Sequence, residues 1–302
     1  MSATAIMLGV ITGLALASIY VLIAVSFTLV LAASGVFNFA QGTIVMLGTV
    51  LAYIFVVQLG WWPPAVVCVI AAIGMAGGLL THLIAVLPAI GRSKNFSHTT
   101  MLTTIGLGTA ANAAVALLFG SDSYRVPSYV SDNPLMMFSV PLRPTYLVMI
   151  AIGLAVTAVV DWTIRHTTIG HVFRATLEDP EGAQLLGIDT IKVIASAFAL
   201  AGAMSAVAGY LIAPVIAASA FTAQELAFFG FAGMAIGGFG SFSGSLAGGL
   251  IVGLIAGLTP TFANPHLTLP LLWIVCVAVL LAKPGGLFGT AGLFGSTRIR
   301  EV

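Results

Sequence analysis

The chain has 302 residues, 60% of them apolar and 6% charged, with a net charge of +1 and a mean hydropathy of +1.14. Soluble domains carry about 25% charged residues, and the charged shell that a water-soluble fold of this length needs cannot be built from this composition. The near-zero charge balance argues neither for nucleic acid as a partner nor for a polybasic lipid-binding tail, and no nucleic acid is expected.

No Asp, Glu, Lys or Arg occurs from Met1 to Gly91, and further uncharged runs cover Asn95–Ser121, Val193–Gln224 and Leu226–Ala282. At 1.5 Å per residue, roughly 20 apolar residues cross a hydrocarbon core of about 30 Å. Breaking the runs at turn residues predicts about nine transmembrane helices (eight to ten), over 5–33, 43–59, 64–90, 99–120, 145–165, 191–213, 226–239, 244–262 and 267–283. The expected fold class is therefore an all-α integral membrane protein, a polytopic bundle forming one domain over 1–302. The first stretch lacks a basic leader and runs too long for a cleaved signal peptide, so it reads as a retained helix. Trp61-Trp62-Pro63-Pro64 reads as an interfacial aromatic pair and a helix start. The 226–239 segment is short and glycine-rich, which points to a broken or re-entrant helix. With nine spans and an external N-terminus, eight of the ten Lys and Arg fall inside and only Arg125 and Arg143 fall outside, as the positive-inside rule requires. That parity places the 121–144 loop outside and the 166–190 loop in the cytoplasm.

Small residues crowd the spans, as in Gly202–Gly209, and small-xxx-small spacing lets helix backbones approach closely in lipid. Two stretches interrupt the pattern, Ser34–Gly42 and Gly237–Gly244. Irregular backbone at depth is tolerated only where it is buried or lines a wet cavity. Asn38 and Gln41 in the first break, and Gly238 and Gly240 in the second, are thus candidates for a solute path, with helix capping as the alternative for the two amides. Each acidic residue falls in a loop or near a span end, so an ion-coupled carrier lacks its usual intramembrane carboxylate. No P-loop, His-Glu-x-x-His, Cys-x-x-Cys or Gly-x-Ser-x-Gly motif occurs, and Cys68 and Cys276 sit inside apolar runs. An enzyme with its own cofactor or metal is not expected.

The inner loop is the most informative segment. Asp179 suits an N-cap, Pro180 the first helical position, Glu181 the positive end of the dipole and Gly187 the left-handed residue past the end. These signals predict a helix of about two turns outside the membrane. Its Leu185 and Leu186 have no span to pack in, so either they dock on a partner or the segment is a solvated connector.

Five motifs in order, Gly13–Ala24, Gly35–Gly42, Arg174–Ile188, Gly237–Ser241 and Lys283–Gly289, resemble the permease subunits of branched-chain amino acid ABC transporters. The resemblance implies a second homologous permease subunit, two cytoplasmic ATPase subunits that hold ATP and Mg, and a periplasmic solute-binding protein. It implies a place in the bacterial inner membrane and import of branched-chain amino acids or a related small solute. It also implies that the inner loop is a coupling helix, with Arg174, Glu178, Asp179 and Glu181 making polar contacts to an ATPase and Leu185, Leu186 and Gly187 fitting its groove. One departure stands out, since Glu181-Gly182-Ala183 replaces the usual Glu-Ala-Ala and glycine costs about 1 kcal/mol of helix propensity against alanine. The rival reading is a stand-alone channel or facilitator for a small neutral solute such as urea or a short amide.

Overall fold

The computed structural model describes residues 3–89, 96–120, 122–130, 133–137 and 140–289. Eleven helices follow in chain order among them: α1 (Ala3–Ser34), α2 (Gln41–Ala52), α3 (Pro63–Thr81), α4 (Phe96–Phe119), α5 (Pro144–His166), α6 (Thr168–Glu178), α7 (Pro180–Leu185), α8 (Thr190–Ile216), α9 (Ala223–Gly237), α10 (Phe242–Phe262) and α11 (Thr268–Ala282). Helix α2 runs on through a π turn, Tyr53–Gln58, and α3 through a second one, His82–Val86. Prolines open α3, α5 and α7, where the missing N–H costs nothing. A short hairpin, β1 (Leu135–Met137) and β2 (Val140–Leu142), decorates the loop before α5.

Among the described residues, eight helices are long and apolar enough to cross a membrane. The expected ninth, α9, has 15 residues and starts inside the bundle. Even so it carries the chain from one end to the other. Ala218 just before it pairs with Tyr124 of the loop between α4 and α5, and Gly237 at its far end accepts from the Phe288 amide beyond α11. The shortfall is made up by the non-helical 217–222 segment, which pairs at Ala218 and then turns at 219–222.

Helix α1 sits at the centre, packed by α10, α8, α9 and α5. It is uncharged and apolar on every side, as a helix surrounded by others must be. Its tightest seam is with α10, where Gly13, Ala17 and Val21 meet Gly257, Gly253 and Gly249 backbone to backbone, and Gly9 lies against the Thr261 hydroxyl. Helix α8 repeats the device: Gly202 lies on Gly74 and Gly78 of α3, and Gly209 on Val45 and Gly48 of α2. In lipid, burial from water supplies no drive between helices, so this close packing has to hold them together. Buried hydroxyls add cross-links that lipid cannot compete with: Ser18 Oγ donates to the Met149 carbonyl (3.0 Å), Ser26 pairs with Ser205 (2.9 Å), and Thr28 with Ser245.

The bundle end that carries the α4–α5 loop is tied by aromatic groups. Tyr129 and Tyr210 stack at 4.2 Å, the Tyr129 hydroxyl donates to the Tyr210 carbonyl (2.6 Å), and the Tyr210 hydroxyl donates to the Pro63 carbonyl (2.9 Å).

Candidate functional site

Helix α1 ends at Ser34, and the chain turns back at Gly35 with a left-handed φ of 67°. Residues 36–40 then climb inward again before α2 begins. The Asn38 Nδ2 donates to Gln41 Oε1 (2.9 Å), while Asn38 Oδ1 accepts from the Ala40 amide (3.1 Å). Gln41 Nε2 donates both to the Ala201 carbonyl (2.9 Å) and to Ser205 Oγ (2.6 Å), halfway along α8. Both amides are buried and fully engaged with protein, so they hold the break in place. Gln41→Leu would strand the Ala201 and Ser205 acceptors and the Asn38 donor. The expected loss is about 2–3 kcal/mol of stability, read as a lower unfolding temperature in detergent.

Helix α9 starts against this break, because Gly42 leaves room for Ala223 and Ala227. Where the two helix starts meet, a cavity of about 800 Å³ opens between α1, α2, α4, α9 and α11. Its walls are mostly aromatic: Phe27, Phe39, Phe228, Phe231 and Trp273, with Phe228 and Trp273 stacked at 4.0 Å. Thr43, Thr109, Asn112 and Glu225 supply polar groups. Two bonds fix the wall, from the Phe39 amide to Thr104 Oγ1 (3.3 Å) and from Thr43 Oγ1 to the Gly108 carbonyl (3.3 Å). A mainly apolar concavity of this size with a few polar groups is the form that small-molecule sites take.

Of the four residues expected on a solute path, Asn38 and Gln41 flank the cavity through Phe39 and Gly42 without lining it themselves. Gly238 and Gly240 lie just past the C-terminal end of α9, both with positive φ (128° and 76°). Gly238 packs on Gly286 and Gly289 of the chain end, so a side chain there would strike backbone. The one carboxylate in the cavity wall is a correction to the sequence reading. Glu225 does lie near a helix end, but that end is inside the bundle.

The 166–190 loop folds as a pair of helices, α6 and α7, where one helix was expected. Thr167 caps α6 through the Gly170 amide (3.3 Å), and Phe173 and Thr176 turn its inner side into the bundle. Asp179 caps α7 by accepting from the Gly182 amide (3.0 Å), and Gly187 closes it at φ 83°, as the sequence predicts. A Cβ at position 182 would press on the Asp179 carboxylate, which gives the glycine of Glu181-Gly182-Ala183 a packing reason. Ala183 is buried, whereas Leu185 and Leu186 are 89% and 81% exposed. The backbones of Arg174, Glu178 and Glu181 lie in this helix pair, and their side chains fall outside the described residues.

Asp189 then caps α8 and pairs with Lys192 (3.1 Å). Hydrogen bonds from the Lys192 side chain and amide, with its charge, hold that carboxyl below its usual range. The cap is thus fully present above the ordinary carboxyl pKa and weakens only as pH falls below it.

The family model for "Branched-chain amino acid transport system / permease component" matches residues 9–281. The chain is 29% identical to the high-affinity branched-chain amino acid transport system permease protein LivH of Escherichia coli (strain K12), over 92% of this chain and 93% of that protein. It is 26% identical to BraD of Pseudomonas aeruginosa, named in the same terms, over 67% and 69%, and 28% identical to a probable LivH of Methanocaldococcus jannaschii, over 65% and 62%. No solved structure matches. With the capped α6–α7 pair, the cavity and nearly all of the membrane-crossing bundle inside the matched range, the chain belongs to the permease component family of branched-chain amino acid transport systems.

Proposed function

We propose that the chain is one of two homologous permeases in an ABC importer of the bacterial inner membrane, carrying branched-chain amino acids or a related small solute. Its partners are a periplasmic binding protein and two cytoplasmic ATPases, which hold ATP and Mg and do the hydrolysis. The N-terminus faces outward and the C-terminus the cytoplasm, in keeping with the Lys and Arg distribution.

The observation that carries this reading is the leucine pair on α7. Two adjacent leucines stand in the open on a helix capped at both ends, on the side richest in charge. A solvated connector would spend polar residues there, whereas a docking helix needs apolar ones. ATPase closure moves α6 and α7, and the bundle alternates between outward and inward access. The aromatic cavity holds the solute in transit, with Asn38 and Gln41 fixing the break that shapes it and Gly238 and Gly240 forming its inner approach.

The test is reconstitution in vesicles of the chain alone and of the full complex, with labelled leucine, isoleucine, valine, urea and a short amide. Uptake of the amino acids that appears only with binding protein, ATPase and ATP supports the importer. Full-rate flux of urea or amide through the chain alone, without nucleotide, would establish the channel instead.

A further inference from the structure

The cavity wall contains one ionisable side chain among its described lining residues, and it has no counter-ion. Glu225 sits in the first turn of α9 with its side chain exposed to the cavity. The two ion pairs among the described residues are Arg165–Asp161 and Lys192–Asp189, so neither involves it. Nor can a small rearrangement of the wall supply a cation, because none of the ten Lys and Arg lies on α1, α2, α4, α9 or α11. A carboxylate held within a membrane bundle costs several kcal/mol unless it faces water or a cation. The rest of the wall offers no cation, being built largely from Phe27, Phe39, Phe228, Phe231 and Trp273.

We infer that Glu225 is the transit-site counter-ion for a solute that brings its own cation: it binds the α-ammonium group of an amino acid while the aromatic wall takes the apolar side chain. This rests on the importer reading above and goes beyond it by naming the residue and the chemical group it selects. It also separates the two classes of solute considered for this chain. Urea and short amides carry no cation and would leave the carboxylate unpaired, whereas leucine, isoleucine and valine each satisfy both halves of the site. A charge-assisted hydrogen bond in a site of low polarity is the strong kind, so its loss is expected to be large.

The experiment compares the full complex carrying wild-type permease, Glu225→Gln or Glu225→Asp, reconstituted with binding protein and supplied with ATP and labelled leucine. Size-exclusion chromatography checks assembly. The expected result is an assembled Glu225→Gln complex whose leucine uptake falls by about tenfold or more, with Glu225→Asp restoring it to within about threefold of wild type because the charge is kept. Thr109→Lys provides a second route from the exposed α4 wall of the same cavity: a built-in ammonium competes with the solute's, and uptake is expected to fall comparably. Wild-type uptake by Glu225→Gln or Thr109→Lys overturns the assignment, and so does Glu225→Asp being as impaired as Glu225→Gln. Failure of Glu225→Gln alone to assemble also overturns it and gives the carboxylate to a seam with the second permease. A wild-type complex that imports urea and no amino acid defeats the importer reading itself.

Discussion

Replacing Leu185 and Leu186 together with aspartate is expected to abolish nucleotide-driven uptake, by about a hundredfold or more, while leaving the bundle folded. Each leucine side chain is almost wholly exposed in the isolated chain, so nothing within the fold is lost when it goes. Burying one leucine in a partner's groove is worth about 1.5–3 kcal/mol, so the pair controls at least two orders of magnitude in association. The aspartates add the penalty of an unpaired charge in the groove. Co-purification of the ATPase with the double variant, uptake by vesicles and the unfolding temperature of the permease separate the effects. Lost association with unchanged melting is the expected pattern. Undiminished association would show that α7 is a connector after all.

The second large effect is on stability. Gly253→Val in α10 is expected to lower stability by at least about 3 kcal/mol and to deplete the folded permease in membranes. A Cβ at position 253 would fall on the backbone N and Cα of Ala17, and backbone cannot rotate aside as a side chain can. The neighbouring turns give no relief, because Gly249 and Gly257 press on Val21 and Gly13 in the same way. Gly106 of α4 is the matched control, since a Cβ there would meet nothing within 4 Å. Gly106→Ala should stay within about 1 kcal/mol of wild type, on the more stable side. Thermal unfolding of both variants in detergent checks the pair. A Gly253→Val protein as stable as Gly106→Ala would mean that the seam has more room than its backbone contacts allow.

Much of this architecture was legible in the sequence for a physical reason. Lipid forbids charge and requires length, so the uncharged runs mark the crossings. The α7 caps were equally legible, because Asp179, Pro180 and Gly187 act on backbone groups within a few residues of themselves. The Asp161–Arg165 pair is local in the same sense, closing at 2.8 Å as an intrahelical bridge.

What stayed hidden depends on partners far away in the chain. The Gln41 amide finds Ala201 and Ser205 some 160 residues on, and no local pattern announces that a helix starts in the middle of a bundle. Glu225 looked like a span-end residue for the same reason. Helix α6 was missed because Gly170 and the Thr167-Thr168 pair resemble a loop; yet Gly170 is the point where the backbone lies against the Ile164 carbonyl. The spacing of Val172, Phe173 and Thr176 was the available signal, with one side apolar at helical period.

The contact between α1 and α10 bears on how such a machine can move. Two rods touching main chain to main chain for three turns have no lubricating layer of side chains, and sliding one along the other would drive each carbonyl ridge over the next. They must therefore shift as a single keel, carrying the hydroxyl pair of Thr28 and Ser245 with them. Compliance is left to joints made of rotatable rings, such as the Phe228–Trp273 stack, where a change of side-chain rotamer is enough to widen or narrow the cavity.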